Sequence, residues 1–263
     1  MNIRGGWALI KGTWLSWLQQ RTFFFLLAFG WMIPPLISLF VWYTASSAKT
    51  IGGLTQSEFV TYYLTLILVN QLTYSQTHWT VGDAIRSGDM NLTLLRPLSP
   101  HFGVLASEIA GKVVYMAFVT PIAFLLALLL HPILHTNLYN CMLFLLTLLL
   151  AWLLRFLWGY WLAIFAFWIT RADALLSIQN TMIFLFAGQV APVVLLPGIL
   201  QSIAIILPFR YMISFPIEVL LGHLSTSELL MGLAYQGGWV VITCGLFFTT
   251  WRRGLRHYAA VGG

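Results

Sequence analysis

The chain has 263 residues, of which 60% are apolar or aromatic and only 8% are charged. An ordinary soluble domain carries about a quarter charged residues, so a water-surrounded globule is excluded. Thirteen Lys and Arg against seven Asp and Glu give a formal net charge of +6, but the basic residues are scattered between long apolar runs, which fits a membrane protein better than a nucleic-acid binder.

In chain order, Trp7, Ile10, Trp14 and Trp17 recur at helical spacing, with Lys11, Ser16, Gln19 and Gln20 between or beyond them. Residues 1–21 are therefore expected to form an amphipathic helix in the membrane interface, or simply an aromatic anchor for the first span. A bilayer core about 30 Å thick needs about 20 apolar residues of helix, and six runs qualify: 23–43, 59–79, 113–130, 139–169, 175–196 and 229–251. The first is too long for a signal peptide and contains Pro34-Pro35, where a kink is expected. The stretch 197–228 is apolar enough to suggest a seventh span, but it contains Pro208, Arg210, Pro216 and Glu218. An Arg at a helix centre costs about 2.5–3.5 kcal/mol on insertion. The expectation is two short re-entrant helices broken at Pro208 on the outer side, shielded by protein or a wet cavity.

Six spans place Arg4, Lys11, Arg21, Arg86, Arg96, Lys112, Arg171, Arg252, Arg253 and Arg256 on one side, and only Lys49 and Arg210 on the other. By the positive-inside rule both termini are cytoplasmic. Cys141 and Cys244 lie in apolar runs, act as small hydrophobes and carry no information about redox compartment.

No phosphate-binding loop is expected, because Gly111-Lys112 is followed by Val113 and preceded by Ala106 where the first glycine belongs. The seven carboxylates fall in loops or at span edges, so no catalytic set stands out, and a proton-coupled pump lacks its mid-membrane carboxylate. His131 and His135 are four apart, but Pro132 intervenes and no third ligand is near, so no metal is expected. Arg155 lies deep in the fourth run, where an Arg faces the bundle interior or water. It either attracts an anion beside a translocation path or is satisfied structurally by carbonyls or amides such as Gln71 and Gln189. Those glutamines in turn either line a cavity or join helices.

The loop at 80–112 contains GDAIRSGDMNLTLLRPLSP. Asp83, Arg86, Ser87, Gly88 and Asp89 predict a short polar helix and turn, followed by an amphipathic return. Such a knob on apolar legs is either a docking element or a plain connection, and loops this long are uncommon unless functional.

Here the sequence resembles the permease subunits of ABC-2 type exporters. The resemblance is carried by Ile85 to Met90 with Leu94 to Ser99, by LPFRYMISFPIEVLLG between the last two spans, and by the ending RRGLRHYAAVGG. It implies an all-α integral membrane domain over 1–263 with six transmembrane helices, a connector helix at 1–21 and outer re-entrant helices between spans five and six. By position it implies a coupling helix in 80–112, with Asp83, Arg86, Ser87, Gly88, Asp89 and Met90 as contacts for cytosolic ABC ATPase subunits. ATP and Mg would be bound by those partners, with no cofactor in this chain. A second permease chain, identical or related, would complete the complex in a bacterial inner or plasma membrane. Gln71, Arg155 and Gln189 are the candidates for the path of an amphiphilic or lipid-linked substrate. A membrane-embedded enzyme or assembly factor acting without ATP, or a secondary transporter, ranks behind. The first would need intramembrane catalytic groups, and the second a mid-membrane carboxylate and an internal repeat.

Overall fold

In the computed structural model, residues 7, 11–12, 14–15, 19, 21–95, 99–134, 136–169 and 173–258 are described. The amphipathic helix expected at 1–21 falls largely outside them, as do Arg96, His135, Arg171 and the last five residues. Regular structure among the described residues is helical apart from one isolated bridge between Ile51 and Leu54.

Four helices are long and apolar enough to cross a membrane: α1 (Arg21–Ala45), α5 (Pro100–Leu130), α6 (Leu138–Ile164) and α11 (Thr226–His257). Only 22–33% of their apolar windows is buried within the chain. Leu138, Val241 and Leu129 are 79%, 71% and 65% exposed. Apolar surface on this scale is not stable against water and requires lipid or protein to cover it. The chain is thus a multi-pass integral membrane protein.

Two expected spans take a different form. The run at 59–79 becomes α2 (Gln56–Thr73), which stops and restarts as α3 (Thr77–Ser87). Its mean hydropathy is lowered by Thr61, Asn70, Gln71 and Thr73, all of them buried. α2 lies at the bundle centre between α1, α5, α6 and α10 (Ser214–Leu221), so its polar groups face protein. The run at 175–196 becomes α7 (Asp173–Phe186), whose 14 residues span only about 21 Å, followed by irregular chain. α4 (Met90–Leu94) is a single turn, and α5 starts as early as Pro100, favoured there because a first-turn proline sacrifices no hydrogen bond. Helix α1 continues through Pro34-Pro35. The 198–221 segment breaks before Pro208 as expected and again at Ile213, giving α8 (Gly198–Ile206), α9 (Pro208–Met212) and α10.

α6 and α11 run parallel in matched register. Gln236 donates to the Thr147 carbonyl at 2.9 Å, and fourteen residues further along both helices Trp161 donates to Thr250 at 3.1 Å. One end of the bundle holds the short helices, packed in a core of Phe59, Tyr62, Tyr211 and Phe215. The other holds α3, packed with α6 and α11 through Val81, Ile85, Tyr160 and Trp251.

Candidate functional site

At the α3 end, the loop forms a knob on a buried apolar leg. Val81, Ile85 and Met90 face the α6–α11 core, which leaves the polar positions on the far side. α3 closes at Gly88, whose φ of 83° is the left-handed value that glycine adopts without a Cβ penalty. Arg86 pairs with Asp83 one turn back. Ser87 donates to the Asp89 carboxylate at 2.7 Å, and the Tyr258 hydroxyl reaches the Gly88 carbonyl at 3.4 Å, so the end of α11 braces the turn. The six coupling candidates therefore divide. Asp83, Ser87 and Asp89 are exposed, Arg86 and Gly88 half-buried, and Met90 buried.

The path candidates do not form one cluster. Arg155 is buried and directs Nη1 at the Asn70 side-chain oxygen (2.8 Å), the Asn70 carbonyl (3.3 Å) and the Thr73 hydroxyl (3.0 Å), with its guanidinium 5.3 Å from the Tyr74 ring centroid. Gln71, one residue on from Asn70, is turned away by the helix and donates to the Ala28 carbonyl of α1 at 3.2 Å. Gln189 is half-buried between Gly188 and Val190, whose carbonyls accept from Tyr62 and Tyr63. That level on α2 is about 13 Å from Gln71.

Residues the sequence reading left aside surround the α2–α3 break. Glu108 and Lys112, expected in a loop, lie inside α5, and Glu108 is buried. Both touch backbone at the break, and Tyr115 meets the Gln76 side chain there. The available signal was their spacing, because Glu108, Lys112 and Tyr115 at i, i+4 and i+7 share one helix face.

At the opposite end, a cavity of about 720 Å³ opens among Tyr62, Arg210, Tyr211, Glu218 and Tyr235. Arg210 forks onto both Glu218 carboxylate oxygens, Ser214 donates to the same carboxylate, and the guanidinium lies over the Tyr211 and Phe215 rings. Burial opposes the Arg210 charge, but the Glu218 carboxylate outweighs it and raises the guanidinium pKa. A paired Arg of this kind settles between short helices in a way a lone one would not. Tyr62 links this end to α2, donating to the Gly188 carbonyl at 3.1 Å. A Cβ on Gly188, where φ is 79°, would fall 2.2 Å from that hydroxyl. Among the described residues no group of three or more His, Cys, Asp or Glu is placed to hold a metal.

The family profile described as ABC-2 family transporter protein matches residues 29–262. No curated protein and no solved structure matches the chain.

Proposed function

The chain belongs to the ABC-2 family of transporter proteins, and from that premise we propose that it is the membrane-spanning permease subunit of an ATP-driven exporter. The energy would enter through cytosolic ABC ATPase subunits that bind ATP and Mg, since residues 29–262 match a membrane transport component. Two permease chains, alike or related, enclose the pathway, and both termini lie in the cytoplasm of a bacterial inner or plasma membrane.

One observation carries this reading: a polar knob, Asp83 to Asp89, stands on an apolar leg sunk between α6 and α11 at one end of a membrane bundle. A solvated connection needs no such anchorage, whereas a surface that receives force from a partner does. Closure of the ATPases on ATP would press on the knob and shift α3 against α6 and α11, turning the inter-subunit cavity from one side of the membrane to the other. A chain that is 60% apolar or aromatic and 8% charged would give that cavity few polar groups, which suits an amphiphile or a lipid-linked molecule. Six crossings are part of the proposal. α2 is short of lipid-facing apolar residues because protein surrounds it, and α7 begins nine residues after α6 ends yet finishes beside Tyr62 at the far end.

Isolation of the chain from its native membrane tests the proposal. An ABC-type ATPase subunit should come with it and hydrolyse ATP. A permease that purifies intact, under conditions that keep membrane complexes together, without any nucleotide-hydrolysing partner overturns it.

A further inference from the structure

Where α2 stops and α3 begins, the broken helix ends need partners for their free carbonyl and N–H groups. Neither end is capped from its own segment alone. The carbonyl of Tyr74, the residue that caps α2, accepts from the Lys112 ammonium at 2.6 Å. The Gln76 N–H, which opens α3, donates to Glu108 Oε1 at 2.6 Å, and the Ser75 hydroxyl donates to the same oxygen at 3.0 Å. The Gln76 side chain reaches the Tyr115 hydroxyl, and Lys112 closes the set by contacting Glu108 Oε2 at 3.3 Å. One face of α5 thus caps both halves of the break, a cation on the carbonyl end and a carboxylate on the N–H end, each with the sign that the helix dipole favours.

The consequence concerns how force travels. α3 is joined covalently to α2, but the residues that open it, Ser75 and Gln76, are also hydrogen-bonded to α5 through Glu108. We propose that Glu108 and Lys112 are positioning residues of transport: they staple the docking helix α3 to span α5, so that a displacement of α3 moves α5. This rests on the proposed docking role, with α3 as the element that meets the ATPase.

The test uses the permease with its copurified ATPase in lipid nanodiscs, with Cys141 and Cys244 replaced by alanine. One pair of spin labels at Thr80 and Phe248 reports α3. A second pair at Leu129 and Leu230 reports α5. All four positions are exposed. In the unaltered staple, ATP with Mg should shift both distances. Glu108→Gln keeps an acceptor for the Gln76 N–H and should keep the α5 shift. The exchanged pair Glu108→Lys, Lys112→Glu keeps an ion pair but sets an ammonium against an N–H and a carboxylate against a carbonyl. It should retain the α3 shift and lose the α5 shift. If the exchanged pair does not assemble, Glu108→Ala takes its place with the same expectation.

An α5 shift that survives the exchange, or survives Glu108→Ala where that variant is used, overturns the staple. So does an α5 shift lost in Glu108→Gln at normal yield, because either result makes the ion pair or the packing decisive and the caps irrelevant. A wild-type complex in which α3 itself does not respond to ATP fails at the docking role instead, and the two failures are told apart by the first label pair.

Discussion

At the scale of single residues, Arg155 shows how a buried charge dictates the worth of its neighbours. Its Nη1 meets three oxygens on α2, of which the Asn70 side-chain oxygen is nearest, so replacing Asn70 takes the shortest bond from a buried charge and leaves it the Asn70 carbonyl and the Thr73 hydroxyl. Taking a hydrogen-bond partner from a buried group costs about 1–3 kcal/mol, and more when that group is charged. Removing the guanidinium leaves only a neutral amide unpartnered, at about 1–3 kcal/mol. Asn70→Leu should therefore lower the midpoint of thermal denaturation in detergent more than Arg155→Leu does, and the double variant should recover much of the Asn70→Leu loss. Arg155→Lys should fall between, because an ammonium lacks the planar fork of donors. Equal midpoints for wild type and both single variants would remove the structural role and return Arg155 to the translocation path. The depth of Arg155 was legible in the sequence, since it sits far from either end of its run. Its partners were not, because Asn70 and Thr73 share a helix face while the more conspicuous Gln71 is turned about 100° away.

At the scale of elements, the α3–α4 segment separates the residues that would dock in the proposed function from those that hold the segment in place. Asp83, Ser87 and Asp89 face outward, whereas Met90 packs with Val81, Ile85 and Tyr160. Charge reversal through Arg86→Glu with Asp89→Lys should release the ATPase, or uncouple it from transport, at unchanged permease yield. The internal pair of Arg86 with Asp83, half-exposed, is worth only about 0.2–1 kcal/mol. Met90→Asp should instead lower the yield, since an unpaired carboxylate would enter the apolar leg. Affinity capture of the ATPase, normalised to folded permease, distinguishes the two, and full capture by the double reversal reduces the segment to a connection. The knob was legible because a mixed-charge run stood between two apolar ones. The buried leg was not, since Met90 sits in the same motif as the exposed residues and only the packing of α3 on α6 and α11 sets it apart. The interruption of α2 went unread for a similar reason. No proline or glycine stands at Tyr74 to Gln76, and the break is stabilised from outside by α5.

At the scale of the molecule, two helices fall short of span length or apolarity, and whether they nevertheless cross sets the topology. Hydropathy reads a helix as though lipid surrounds it, and that premise fails for α2, whose polar residues are enclosed by four other helices. It fails differently for α7, whose 14 residues are continued by irregular chain, Ala187 to Val190, packed against Tyr62 and Tyr63. Backbone of this kind is tolerated at membrane depth only where protein buries it. The hydrogen bonds order the ends consistently. Thr61 on α2 reaches the Ile133 carbonyl just past α5 at 2.9 Å, Gln56 reaches the Tyr43 carbonyl of α1 at 3.0 Å, and Trp42 of α1 reaches the Val190 carbonyl at 2.9 Å. The far ends of α1, α5 and α7 thus meet the starts of α2 and, through Tyr62 and Ser214, the short helices before α11. That end carries Ser47 and His223, and the other carries Ser99. With cytoplasmic termini, an impermeant thiol reagent applied to intact cells should modify cysteines placed at Ser47 and His223. It should reach those at Ser99 and His257 only after the cells are opened. Labelling at position 257 in sealed cells would mean an odd number of crossings or the reverse orientation. The pattern at Ser47 decides between these, because loss of the α7 crossing leaves Ser47 reactive in sealed cells whereas the reverse orientation protects it, and His223 is protected in both.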